Sequence, residues 1–403
     1  MKIKMKQIYL DHAATTPVRG EVLEAMMPYF VDMFGNPSSF HSVGKTAKDA
    51  METAREAIAK ILNCRTAEII FTAGGAESDN LAILGAARAN KNYGEHIITS
   101  KIEHPAVLES CRKLKKEGFE VTYLPVDKEG IVKLDELKKA LRKDTVLVSI
   151  MYANNEIGTI QPVKEIAKIL REFRKSKHLP PPRAGGESEV PYFHIDACQA
   201  AGALEMDVAK LGVDMLTFNG SKIYGPKGIG ALYVKKGVKI EPLIYGGGQE
   251  RKMRSGTENT PAIIGLAKAL ELAQAEREKE NSRLIALRDY FIKEALKKIS
   301  GARLNGSAKM RLPNNINISV PRVEGEAMVL YLDSYGIYVS TGSACSSASL
   351  LPSHVLLALG LSHDMAHNSL RFTLGRKTTK ADLDYVLEVL PKIIKKLTEI
   401  SSL

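Results

Sequence analysis

The chain has 403 residues, of which 44% are hydrophobic and 26% charged, with a formal net charge of +11. That balance excludes a disordered chain and leaves enough apolar material for one large domain with a smaller companion. The surplus Lys and Arg residues are spread along helical patterns such as "DELKKALRKD" instead of clustering with aromatics, so direct nucleic-acid binding is not expected.

The opening "MKIKMKQIYLDHAATTPV" is basic but holds no apolar run of signal-peptide length, and no later segment has the length and apolarity of a membrane span. A cytoplasmic protein without a membrane partner is therefore expected. Short β-branched or apolar runs follow in order: "EIIFT", "HIITS", "EVTYLPV", "TVLVSIMY", "YFHIDA", "MLTFNG" and "IGALYV". Helical patterns such as "DNLAILGAARAN", "HPAVLESCRKLKKEG" and "PVKEIAKILREFRKSK" fill most of the gaps between them. The alternation predicts an α/β fold, a largely parallel sheet covered by helices on both faces, with active groups at strand ends. One segment breaks the rhythm: "HLPPPRAGGESEV", residues 178–190, has no periodicity and is expected to be an exposed insertion.

From Pro261 a long helical pattern is expected to carry the chain out of the first domain. Beyond it, "NNINISV", "SLRFTLG" and the amphipathic "KADLDYVLEVLPKIIKKL" predict a second, smaller α+β domain. The expected division is a large domain over residues 15–262 and a small one over 1–14 and 263–403.

Three features of the large domain converge on one kind of ligand. In "FTAGGAESDNLAILG", Gly74 and Gly75 end a strand and open a helix, where unpaired amides attract an anion. Glu77 and Asp79 are expected to be first-turn charges that favour the helix dipole. In "YFHIDACQ", Asp196 closes a buried strand and needs a cationic or hydrogen-bonding partner; a pyridinium nitrogen is one, and Gln199 could donate to a phenolate on the same ring. In "FNGSKIYGPKG", Lys222 stands in a Gly- and Pro-bounded turn suited to a Schiff-base lysine. An anion cup, a strand-end Asp and a turn Lys, in that order, fit pyridoxal 5'-phosphate (PLP).

Cysteine usage points to a separate reactive group. Cys64, Cys111, Cys198 and Cys345 lie far apart with no CxxC pair, so neither a metal site nor a disulfide framework is expected. Cys345 lies in "STGSACSSASL", among residues too small and polar to bury it, and is expected to react instead of pack.

Taken with "YLDHAATTPV", "GNPSSFHSVG", "EHPAVL", "NNEIGTIQPV", "GGGQERKMRSGTEN" and "SLRFTLGR", these stretches closely resemble the PLP-dependent cysteine desulfurases of the NifS/IscS type, which are class V aminotransferase-like. The resemblance covers nearly the whole chain. It implies PLP-dependent transferase fold type I, with a mainly parallel seven-stranded sheet plus a smaller α+β domain. It also implies a homodimer with its active sites at the subunit interface.

By the same resemblance, Lys222 matches the lysine that carries the cofactor, Asp196 the partner of the pyridine nitrogen and Gln199 the donor to the ring oxygen. His104 matches the histidine stacked on the cofactor ring and used for proton transfer. Asn155 and Arg371 match the residues that hold the substrate carboxylate, and Cys345 matches the sulfur-accepting cysteine. The reaction implied converts L-cysteine to L-alanine and leaves a persulfide on the enzyme. The length of the cysteine loop resembles the long-loop class, which delivers sulfur to iron–sulfur scaffolds and tRNA-thiolation enzymes.

The chain departs from the family pattern in its phosphate cup. Asn219, Gly220, Ser221 and Lys222 stand where most members read Ser-x-His-Lys, and Ala76 replaces a Thr. Phosphate binding is then expected from the backbone amides at Gly75 and Ala76, from Asn219 and Ser221, and from Thr257 across the dimer. Two other readings are a non-catalytic sulfur-carrier subunit and a selenocysteine lyase. The joint retention of Lys222, His104, Asp196, Arg371 and Cys345 argues against the first, and the long cysteine loop against the second.

Overall fold

The computed structural model describes residues 6–176, 190–342 and 352–401. Cys345 and residues 178–189 of the expected insertion lie outside the described residues. The strands, in chain order, are β1 (Ile8–Tyr9), β2 (Ile69–Thr72), β3 (His96–Ser100), β4 (Glu120–Leu124), β5 (Thr145–Ser149), β6 (Tyr192–Asp196), β7 (Met215–Asn219), β8 (Gly230–Val234), β9 (Arg303–Leu304), β10 (Asn315–Ser319), β11 (Ile337–Tyr338) and β12 (Ser369–Thr373).

Seven of them form the main sheet in the order β2–β8–β7–β6–β5–β3–β4. Neighbours from β7 to β4 pair in parallel, while β8 runs antiparallel to both β2 and β7. This is the mainly parallel seven-stranded sheet of the expected fold. Strands β3, β5 and β6 are buried at every residue, as a sheet covered on both faces requires. Successive residues enter opposite cores: Ile98, Val148 and Phe193 join one face, Ile97, Leu147 and Tyr192 the other.

Helix Ser42–Leu62 shows how the sequence sets one of these layers. His41 caps its start, accepting from Gly44 N at 3.2 Å, and Asn63 ends it in the left-handed conformation, at φ 53°. Between them Ala47, Met51, Ala54, Ile58 and Leu62 recur at helical spacing and are all buried. The same helix carries Arg55, only 2% exposed, which pairs with Glu250 through two bonds of 2.7 and 2.9 Å. Glu250 also accepts from Phe71 N at 2.8 Å, so the turn at residues 250–252 is pinned to the end of β2.

Glu250→Ala would remove the bidentate partner of a buried guanidinium and leave it Glu52 at 3.2 Å and the Ile69 carbonyl at 2.9 Å, and a loss of about 1.5–3 kcal/mol of unfolding free energy is expected in urea titration. A loss below about 1 kcal/mol would mean that water reaches Arg55 and replaces its partner.

A second core gathers Ile8, Leu10, Phe291, Ile316, Ile318, Leu332, Phe372 and Leu387. It is built on the antiparallel sheet β12–β10–β9, the parallel pair β1–β11, and helices Arg277–Lys298, Gly325–Ser334 and Lys380–Ser401. Helix Thr260–Ala275 buries Ile263, Leu266 and Leu270 in the first core. Val355, Leu356 and Leu359 return to that first core. Among the described residues no helix is long and apolar enough to cross a membrane.

Candidate active site

Residues 11–16, "DHAATT", run from β1 past the C-terminal ends of β6 and β7 and touch the expected site residues in turn. Asp11 Oδ1 accepts from Arg371 Nη2 at 2.8 Å, and the Ala13 carbonyl accepts from Gln199 Nε2 at 3.0 Å. The Ala14 carbonyl accepts from Lys222 Nζ, and Thr16 N donates to the Ser221 carbonyl at 2.9 Å. Thr373 holds the segment in place, taking Ala13 N on its hydroxyl at 2.9 Å while its carbonyl lies 2.9 Å from His12 Nδ1. Side chains from both cores thus meet along six residues of backbone.

Gly75 opens the helix Gly75–Asn80, which continues through a π-helical turn to Ala89. A Cβ on Gly75 would lie 2.7 Å from Cys198 Sγ and 3.0 Å from Asn219 Nδ2, so no other residue fits without displacing the site. Asn219 ends β7, and its Oδ1 accepts from Ser221 Oγ at 3.4 Å. The helix start, Asn219 and Ser221 are therefore adjacent, with Ala76 exposed beside them. Thr257 is also exposed, in a segment tied to this helix by the Arg254–Glu77 ion pair at 2.9 Å.

Asp196, 7% exposed at the end of β6, accepts from Cys198 N at 2.9 Å. The expectation for Asp79 is overturned: it is 1% exposed, and burial together with the charge of Asp196 holds its carboxyl well above the usual carboxylate range. It is a buried carboxyl and not a surface charge on the helix dipole; its partner in that expectation, Glu77, pairs with Arg254. Beside it, His194 contacts Ser149 Oγ at 2.9 Å, Thr217 Oγ1 at 3.0 Å and Asp79 Oδ1 at 3.7 Å. Burial pulls its imidazole down to about 4, so the ring is neutral. Burial and Asp196 likewise push the Cys198 thiol well up, which leaves it protonated and unreactive.

His104 caps helix Pro105–Lys116, its Nδ1 accepting from Ala106 N at 3.1 Å. An accepting Nδ1 places the ring proton on Nε2. In "NNEIG", the buried Asn154 accepts from Glu156 N at 2.8 Å and Ile157 N at 2.9 Å, which locks the turn that presents Asn155. The Asn155 carbonyl accepts from Arg371 Nη1 at 3.1 Å. Arg371 itself is 1% exposed on β12, and its buried Nε has no hydrogen-bond partner among the described residues. Glu156 packs nearby, its Oε2 accepting from Ser353 Oγ at 2.5 Å, and burial raises its carboxyl to about 7.

These residues fit PLP. A cradle closed to any side chain at Gly75 opens on helix-start amides, a carboxylate ends β6 and an amine stands on the following turn. Asp11, Ala13, Ala14 and Thr16 were missed as site-building residues although their motif is visible in the sequence. What would have found them is the absence of any periodicity in "DHAATT" immediately after a strand.

The class-V aminotransferase family model matches residues 8–386. A cysteine desulfurase IscS of Dictyoglomus turgidum is 56% identical over 396 residues, covering 98% of this chain and 96% of that protein. A solved NifS-like protein superposes with a TM-score of 0.89 at 39% identity, covering 97% of this chain and all of the other. SspA, solved in complex with cysteine, superposes with a TM-score of 0.77 at 37% identity over 92% of this chain and 99% of its own. On this evidence of site, fold and likeness, the chain belongs to the class-V aminotransferases and, within them, to the NifS/IscS-type cysteine desulfurases, which are PLP enzymes.

Proposed function

We propose that the protein takes the sulfur of L-cysteine onto Cys345 as a persulfide, releases L-alanine, and passes the sulfur to an acceptor protein. The observation that carries this reading is the convergence of Lys222, Gln199, Ser221 and Arg371 on the single backbone segment 11–16.

Lys222 would hold the cofactor, with Asp196 as the partner of its ring nitrogen and Gln199 as the donor to its ring oxygen. The phosphate would be held by the amides of Gly75 and Ala76, with Asn219 and Ser221 as side-chain donors and Thr257 supplied by the second subunit. Bound there, PLP supplies an electron sink for the carbon that loses its proton. The Arg371 guanidinium binds the substrate carboxylate together with Asn155, and the Nε2 side of His104 moves the proton. The Cys345 thiolate attacks the substrate sulfur; the S–S bond forms as the C–S bond breaks, and the carbon keeps the bonding pair and takes a proton. The balance is one L-cysteine and one thiol in, one L-alanine and one persulfide out.

A homodimer is supported by a contiguous apolar stretch left uncovered in one chain, where Met27, Phe30, Val31 and Phe34 are 50–70% exposed. The acceptor belongs to iron–sulfur cluster assembly, tRNA thiolation or both, as the family resemblance implies, and the proposed site of action is the cytoplasm.

The test is a balance sheet. Incubated with L-cysteine, the protein should yield alanine and protein-bound sulfane sulfur in equal amounts in the first turnover, with the sulfur on the Cys345 peptide. Sulfur on Cys64, Cys111 or Cys198, or alanine without any protein-bound sulfur, would contradict it.

A further inference from the structure

We infer that Asp11 is a stand-in for the substrate carboxylate: it neutralises Arg371 in the substrate-free protein and gives way when an α-carboxylate arrives. This rests on the reading of Arg371 as the carboxylate-binding residue.

The geometry around Arg371 is incomplete in a particular way. Its side chain is 2% exposed, and a guanidinium so deeply placed requires an anion close by. Asp11 supplies it, but through one bond only, Nη2 to Oδ1 at 2.8 Å. Nη1 is taken by the Asn155 carbonyl at 3.1 Å, and Nε is buried without a partner among the described residues. A carboxylate pairs best with two adjacent N–H groups of one edge, and here the Nε–Nη2 edge is engaged at only one of its two donors.

Asp11 is poorly placed to close that gap, since its backbone is already committed. Its carbonyl accepts from Ala14 N and from Tyr9 Oη, both at 3.0 Å. Its side chain, at 18% exposure, is more accessible than that of Arg371. An incoming carboxylate can therefore take the whole edge while Asp11 turns toward solvent, and the net charge around Arg371 stays the same. An amine that lacks a carboxylate cannot make this exchange. Asp11 thus acts as a specificity-determining residue through Arg371, setting a threshold that only a forked carboxylate exceeds.

The test uses the holoenzyme and compares wild type with Asp11→Asn and Arg371→Lys. It measures KM and kcat for L-cysteine, and the Kd of L-alanine from the change in cofactor absorbance. Asn keeps the shape of Asp11 and removes its charge, so the competitor is weakened. KM and the alanine Kd should both fall about three- to tenfold, with the effect in KM and not in kcat. Thermal melting checks that the variants are folded.

If Asp11→Asn raises KM, as Arg371→Lys is expected to do, Asp11 is a buttress that aims the guanidinium and the proposal is wrong. If both constants are unchanged, the exchange does not occur and the proposal is also wrong. Should Arg371→Lys leave KM where it was, the carboxylate-binding reading of Arg371 fails first, whatever Asp11 does.

Discussion

Lys222→Ala should bind PLP only reversibly and lose turnover by roughly 10²–10⁴-fold, the range for removing a group that both carries the cofactor and moves protons. Lys222 ends a short helical turn, Gly220–Lys222, directly after β7, and its amine is directed to the Ala14 carbonyl. Removing it leaves the rest of the cup in place: Gly75, Asn219 and Asp196 are fixed by strands and a helix that do not depend on this side chain. The phosphate should still be held, so PLP remains on the protein but is stripped by dialysis. Borohydride reduction followed by peptide mapping separates the two states, labelling Lys222 in the wild type and no lysine in the variant. Lys227 is exposed in the same turn region, and Lys227→Ala should behave as wild type in both assays. A borohydride label that persists in Lys222→Ala would move the covalent attachment to another lysine.

Some of this site was legible in the sequence because it depends on local chemistry. Gly75 at a strand-to-helix turn, Asp196 at a strand end and Lys222 in a Gly- and Pro-bounded turn are each recognised within a few residues of chain, and each lies where the strand pattern placed it. Asp79 was misjudged for the same reason. Its position near the start of the helix is a local property, whereas its burial against β6 and β7 depends on His194 and Thr217, well over a hundred residues away. The helix-dipole rule assumes solvent, and here there is none.

The role of Asp11 was out of reach for a similar cause. Its partner Arg371 is 360 residues distant, and a carboxylate between a leucine and a histidine has no periodicity to announce it. Asn155 and Arg371 took their roles from resemblance; neither could be paired with the other by pattern.

The division of labour between cofactor site and acceptor thiol gives the second large effect. The groups that would bind PLP or the substrate carboxylate lie on the main-sheet strands and β12, in the loops and turns that follow β5, β6 and β7, at helix starts or near Thr257, and the other three cysteines are unsuited to accept sulfur. Cys198 is buried with its thiol pushed well up, Cys111 is buried at about 12, and Cys64 is half-buried, also at about 12. All three are protonated at neutral pH and so are weak nucleophiles.

Cys345→Ser in a single turnover with L-cysteine is therefore the most direct measurement. The variant should keep its visible cofactor absorbance and shift it on adding L-cysteine, because binding and proton removal do not need the thiol. It should form no protein-bound sulfane sulfur, and alanine release should fall at least about a hundredfold. Alanine formed at the wild-type rate, with or without sulfur on another cysteine, would contradict sulfur transfer through Cys345.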